Sequence, residues 1–496
     1  MKLSDEHLLL KDTVRKRLAE PDIKAMIRKY ERHGQEPALF AWEWVHAMAE
    51  FGLTAINVPE EYGGAEIDNL SGVIAMIEMA RAWSGGSLIL AVGNSLVSYP
   101  LAKFGNEGQK EAYLPRLASG KILGSFGLTE PGNGSDAGGI KTFAEKIAGG
   151  WQVSGQKQFI TNTPIAEFII LFARTNRNES GYKGITAFLS HLLRPTPPSL
   201  VIPLPDHKLG NHAAHMGKIF FDNYHLFESN LFGEEGKGFK VAMATLAHGR
   251  NWIAAQGIGL MEHAMALALD YAQTRTTFGE TLIKHSNIYN IVSELALAID
   301  VSKILLFYSA KLEDEGKEFY PYASCAKLYS SEKACELIQK ANKIFGGSGY
   351  IAEMEIAALI LDSLVLPIYE GPSNVQKDII LKAWFEDKLP LPGYVEYFEL
   401  IEQKRKAKEH MKDAGFLKLY DQEFPDKIAG ILPLIAARDL LGREFSEDWP
   451  KEFMNFGQDI LKALIFDEIR RNWPSSKIIR TRHVWESAKE HLLKNR

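Results

Sequence analysis

Gly127-Leu128-Thr129-Glu130-Pro131-Gly132-Asn133-Gly134-Ser135-Asp136 marks the point where the chain changes character. Glycines, a proline, two hydroxyls and two carboxylates crowd into one loop. Glycines let backbone approach a ligand closely and aim N–H groups at it, and Thr129 and Ser135 add short hydroxyl donors. Gly/Pro/Asn/Ser clusters are also ordinary turns, so the loop alone leaves both readings open. The run Ile122–Gly127 before it reads as a buried strand end, so the loop leaves a sheet.

Upstream, residues 4–31, 38–50, 67–83, 86–104 and 107–118 read as helices, and none of them alternates with period two. Downstream come short β-rich runs, Trp151–Val153, Phe168–Phe172, Ile185–Leu189 and Lys218–Phe221. Gly149-Gly150, Thr175–Asn178 and Pro195–Pro198 punctuate them, which predicts a small antiparallel domain. Long helices return over 238–274, 287–313 and 321–345, and Leu389-Pro390-Leu391-Pro392-Gly393 breaks the pattern. Residues 394–496 read as helical again, with basic patches such as Lys404-Arg405-Lys406.

The 496 residues suffice for several domains and a large core, and 46% apolar with 24% charged residues is ordinary for a globular protein. A net charge of −5 gives no general reason to expect nucleic acid. Two cysteines, Cys325 and Cys335, support neither a disulfide framework nor a metal cluster. No apolar stretch reads as long enough to span a bilayer, and the polar start Met1–His7 does not resemble a signal peptide. A cytoplasmic location is the expectation.

The loop resembles the Thr-Glu-Pro-x-x-Gly-Ser-Asp signature of the acyl-CoA dehydrogenase family. Further blocks resemble the family in order: Gly155–Asn162, the strand facing the flavin; Gly233–Phe239, the turn into the last domain; Arg275-Thr276-Thr277-Phe278-Gly279, the pyrophosphate block; then Gly346–Tyr350 and Ile368-Tyr369-Glu370-Gly371. The resemblance covers about residues 1–385. The expected class is α+β and mostly α. It comprises an N-terminal helical domain (1–120), a middle antiparallel β-domain (121–235), a C-terminal four-helix-bundle domain (236–388) and a helical extension (389–496).

Glu370 is the candidate catalytic base. Removing a proton α to a thioester requires a carboxylate held against that carbon, and an apolar setting strengthens it. Read alone, a glutamate at a loop edge is most often solvated; the resemblance places it where the family's general base sits. Some members carry the base just before an arginine that here matches Arg250, but His248 and Gly249 stand there. By resemblance the cofactor is FAD, touched by Phe126, Leu128, Thr129, Gly134, Ser135, Phe159, Ile160 and Thr161. Arg275, Thr277, Phe278, His285, Ser286, Lys343, Gly346, Gly347, Pro372 and Asn374 complete its site, with Arg275 and Phe278 reaching the FAD of a neighbouring subunit. Ser135, Ala247, Arg250 and Gly371 would meet the acyl-CoA substrate.

Ser286 and Lys343 stand where the family usually has Gln, Pro372 replaces a Thr, and Ala247 an Asp or Asn. Lys208-Leu209-Gly210-Asn211-His212 also lacks the usual basic-plus-hydroxyl pattern. The resemblance implies α,β-dehydrogenation of an acyl-CoA to a trans-2-enoyl-CoA, electron-transfer flavoprotein as partner, and a homodimer or homotetramer. The rivals are a flavin oxidase or monooxygenase on the same fold, and a nucleic-acid-binding member. Residues 467–496 hold eight basic against four acidic side chains, a tail that is usually a solvated face and that could contact a membrane or a neighbouring subunit.

Overall fold

A computed structural model describes residues 3–33, 36, 39–65, 67–389, 430 and 432–440. The first part is helical: α1 (Asp5–Leu18), α2 (Pro21–His33), α3 (Trp42–Glu50), α4 (Asn69–Ala82), α5 (Ser84–Ala91), α6 (Tyr99–Phe104) and α7 (Glu107–Ala118). Local chemistry starts several of them. Ser4 and Asn106 form capping boxes with His7 and Gln109, and Asp68 accepts the N–H of Ser71 at 2.6 Å.

Between α5 and α6 the chain widens into a π-helix over Val92–Ser98, where a single uninterrupted helix was expected. Contrary to the sequence reading, the continuous helical stretch Ser84–Phe104 is, at 21 residues, long and apolar enough to cross a bilayer. It is buried in the interior of the protein, as a core helix is.

Eight strands follow: β1 (Gly124–Gly127), β2 (Phe143–Ile147), β3 (Gly150–Thr161), β4 (Phe168–Arg174), β5 (Ile185–His191), β6 (Leu200–Val201), β7 (Met216–Phe227) and β8 (Leu231–Phe232). They pair in the order β6-β7-β3-β2-β4-β5-β8, with β1 added beside β4. The ladder is antiparallel except at two places: β1 runs parallel to β4, and Phe143 of β2 meets Arg174 of β4 in parallel. One face packs Phe126, Phe168, Ile170 and Phe172 onto the helical core, and the other encloses Trp151, Val153, Phe188 and Ile219.

The last part holds α8 (Gly238–Thr274), a hairpin of β9 (Thr276–Thr277) and β10 (Glu280–Thr281), α9 (Ser286–Asp314), α10 (Tyr320–Asn342), α11 (Glu355–Ser363) and α12 (Ser373–Phe385). α8, α9, α10 and α12 make the four-helix bundle. Every residue of α8 from His248 to Glu262 is buried, which makes it the central rod of the molecule. Gly259 permits this: a Cβ there would lie 2.5 Å from the Ile77 carbonyl oxygen of α4.

Of the extension expected over 389–496, the described residues are Leu389, Gly430 and 432–440; the last of these are helical and buried. Lys404-Arg405-Lys406 and the basic tail, with its expected contacts to nucleic acid or membrane, lie outside the described residues.

Candidate active site

The signature loop is tied to β3 by a buried ion pair. β1 ends at Gly127 and Leu128 is buried, so Glu130 turns inward rather than to solvent. Its carboxylate accepts the backbone N–H groups of Lys141 at 2.6 Å and Thr142 at 2.9 Å, and the Lys157 ammonium at 2.7 Å. Lys157 also donates to the Leu128 carbonyl at 3.0 Å, and the Gln158 N–H to that of Thr129 at 2.9 Å. Burial pushes the Glu130 carboxyl up, but Lys157 and the N–H donors outweigh it and hold it below its usual range. Burial in turn draws the Lys157 ammonium down to about 8. Neither residue was singled out from sequence, because a lysine in a strand reads as solvated until its partner is known. The loop's far side is open: among the described residues nothing lies within 4 Å of where a Cβ would stand at Gly132 or Gly134, and Gly134 and Ser135 are exposed.

β3 is not a plain strand. Its register with β7 shifts between Lys157 and Ile160, and Phe159 sits at φ 59 within this bulge. Left-handed backbone is uncommon for a bulky residue, and bulges re-aim side chains. The outcome is a Phe159 ring left 55% exposed, with Ile160 buried and Thr161 half-buried.

The second centre is the turn before α12. Glu370 (φ 51) and Gly371 (φ 93) are both left-handed. Such a glutamate persists only where its surroundings hold it. The Gly371 carbonyl accepts from Lys327 Nζ of α10 at 2.9 Å and from Gln376 Nε2 at 2.8 Å. From the other side the Tyr369 hydroxyl donates to Gln256 Oε1, Gln256 Nε2 to Ser84 Oγ at 3.1 Å, and Ser84 Oγ to Asn211 Oδ1 at 2.7 Å. The Asn211 N–H ends this chain on Asp362 at 2.5 Å. The unusual segment 208–212 is thus wired to the turn that carries Glu370.

Glu370 is half-buried as a residue, but its Oε2 is sealed from solvent and bonded to nothing among the described residues. Desolvation raises its carboxyl to about 7, against the pull of Lys327 and Arg250. Arg250 is buried with Nε unpartnered among the described residues, and burial lowers it to about 10. A Cβ at Gly249 would stand 2.2 Å from Glu370 Oε2, so position 249 directly faces the carboxylate, with Leu96 of the π-helix alongside. His248 turns elsewhere. Its Nδ1 lies 2.8 Å from Glu313, its Nε2 accepts from Trp252 at 3.1 Å, and its ring stacks on Tyr99 at 4.0 Å. Ala247 is half-buried one turn before Asn251.

A third group stands at the surface. Arg275 caps α8, and Thr277 leads into a hairpin whose tip is Phe278, left-handed at φ 55 and 94% exposed. His285 closes the hairpin, with Nε2 at 3.4 Å from the Thr277 carbonyl and Ser286 opening α9. Lys343, Gly346 and Gly347 form an exposed 3₁₀ turn after α10, and Tyr350 is 94% exposed. Pro372 caps α12 and Asn374 is exposed in its first turn.

These residues fit an FAD site. The glycine loop is open on its far side, an apolar ring is held out in a strained conformation, and Glu370 Oε2 and Arg250 Nε are buried without partners among the described residues. The chain matches the N-terminal, middle and C-terminal domains of acyl-CoA dehydrogenase over residues 4–121, 125–224 and 236–385. It is 37% identical to the mitochondrial short-chain specific acyl-CoA dehydrogenase of Mus musculus, over 77% of this chain and 90% of that one. Identity to an acyl-CoA dehydrogenase of Bacillus subtilis is also 37%, over 73% and 96%. The butyryl-CoA dehydrogenase structure from Megasphaera elsdenii superposes with a TM-score of 0.73 at 33% identity, covering 77% of this chain and 99% of that one. A structure titled for the electron transferring flavoprotein of Acidaminococcus fermentans gives 0.73 at 31%, covering 77% and 99%. The fold, the site and these likenesses agree that the chain belongs to the FAD-dependent acyl-CoA dehydrogenase family.

Proposed function

We propose that this acyl-CoA dehydrogenase acts on short-chain acyl-CoA thioesters, with Glu370 removing the α-proton as the trans-2-enoyl-CoA forms. The observation that carries the role of Glu370 is its sealed Oε2, unpartnered among the described residues, beside two buried cations. A carboxyl near 7 is half ionised at neutral pH and is a stronger base than a solvated glutamate. The backbone N–H of Glu370 has no acceptor among the described residues, so it can polarise a thioester carbonyl laid over the turn. Gly249 leaves room for the carboxylate, and Leu96 supplies an apolar wall that excludes water.

Bound FAD supplies the acceptor for the hydride lost from the β-carbon. Thr129, Ser135, Phe159 and Thr161 are the residues assigned to hold its flavin end. Arg275, Thr277, Phe278 and His285, with the turn 343–347, are assigned to the FAD of a second copy. The exposure of Phe278 and Tyr350 supports a homodimer or a dimer of dimers, since neither ring has cover among the described residues. Electron-transfer flavoprotein is the proposed partner that takes the electrons, in line with the Acidaminococcus likeness.

The test is Glu370→Gln. Glutamine keeps the size of the side chain but accepts no proton, so kcat should fall by at least ~10²-fold. The flavin should stay bound, and its absorbance should still shift when a C4 enoyl-CoA is added. Flavin bleaching by butyryl-CoA at near wild-type rate would move the base elsewhere. Fast reaction of the reduced enzyme with oxygen would favour the oxidase reading.

A further inference from the structure

Lys327 is among the largest fully buried side chains of the protein, and nothing in the sequence marks it out. An ammonium has three N–H donors and no acceptor. In a dry interior it needs hydrogen bonds and a counter-charge. Its one bonded acceptor among the described residues is the neutral Gly371 carbonyl at 2.9 Å. The largest charge interaction on it is with Glu370; Arg250 opposes it from α8, and Glu332 and Cys335 act from its own helix α10. The base likewise faces two cations, Lys327 and Arg250, while its Oε2 has no hydrogen bond among the described residues. The carboxylate is therefore stabilised by neighbouring charge rather than by donors.

Two groups hold the same carbonyl, and they differ in one respect. Gln376 bonds the Gly371 oxygen at 2.8 Å without bringing charge, and Lys327 brings both a bond and a charge. We propose that Lys327 is a positioning residue of this site: its ammonium clamps the Gly371 carbonyl, which fixes the left-handed turn that aims Glu370, and its charge stabilises the ionised base. This rests on Glu370 being the base. Burial draws the Lys327 ammonium down to about 8, so at neutral pH it is charged, as the role requires.

The experiment is the pH profile of kcat/KM with butyryl-CoA and an artificial electron acceptor, measured on the FAD-loaded full chain. In Lys327→Gln the carbonyl keeps a donor but the charge is gone, so the acid limb should move up by ~1 pH unit or more, the size expected of a nearby opposite charge. Lys327→Arg keeps the charge and should leave the limb near its wild-type position. Gln376→Ala loosens the same carbonyl without touching charge and should leave the limb in place. An unmoved limb in folded Lys327→Gln overturns the proposal, as does a Gln376→Ala limb displaced equally far. If Lys327→Gln loses its fold, Lys327→Arg decides: a limb within ~0.3 unit of wild type supports the proposal, and a limb displaced by ~1 unit refutes it. Failure of the underlying reading is distinguishable, because it would show as an active Glu370→Gln enzyme whatever Lys327 does.

Discussion

Gly249→Ala tests the site with a single methyl group. The new Cβ would fall 2.2 Å from Glu370 Oε2 and 3.1 Å from its carboxyl carbon, whereas ordinary contact begins at 3.4 Å. The carboxylate must therefore retreat by about 1.2 Å, the difference between those separations. It is the free end of a flexible side chain, so the fold can accommodate the move. A catalytic group displaced by about 1 Å loses on the order of 10²-fold in rate, or ~2.7 kcal/mol in barrier. Alanine in a helix interior is favoured over glycine by up to about 1 kcal/mol, so thermal stability should hold or rise while kcat falls ~10²-fold. The assay is steady-state turnover of butyryl-CoA beside thermal unfolding and the FAD-to-protein ratio. A folded, flavin-loaded variant with kcat within about threefold of wild type would show that Glu370 does not work from the place the structure gives it.

Three further outcomes follow from the buried charges. Only ionised Glu370 can take a proton, so kcat/KM should rise with pH through about 7, a limb absent from Glu370→Gln. Glu370 takes up its proton at higher pH folded than unfolded, so its contribution to stability is full below its ordinary 4.5 and is lost as pH rises through about 7; denaturant midpoints across that window check the sign. Lys157→Met leaves Glu130 charged and buried without its counter-ion, which should cost about 3–5 kcal/mol in denaturant unfolding. Adding Glu130→Gln should return part of that loss, and simple additivity of the two changes would argue against a coupled pair.

What the sequence reveals depends on how far apart the interacting residues are. The helix expected over 238–274 is the one observed, because the end of the β-rich runs and the long apolar stretch that follows are legible in adjacent residues. The parallel pairing of β1 with β4 is not local: Gly124 meets Phe168 across an intervening hairpin, and a short apolar run says nothing about direction. The π-helix at Val92–Ser98 escaped for another reason, since a wider helical turn leaves the apolar pattern almost unchanged. Glu370 read alone is a surface residue, and only its neighbours in a familiar block marked it. Lys157 and Lys327 went unnoticed because burial is set by the helices and strands that close over them.

The central rod has a consequence for how many working sites an assembly can hold. Arg250 lies within α8 and Arg275 caps it, so the two arginines of one copy are kept about 38 Å apart by the 1.5 Å rise per residue. On the proposed assignment they serve different sites, and each copy contributes two halves that belong to two wholes. Chains carrying Glu370→Gln and chains carrying Arg275→Ala should each be inactive alone. Refolded together, they should regain turnover in the hybrids, where one site collects both lesions and the other has neither. If mixing restores nothing although hybrids form, each copy completes its own site.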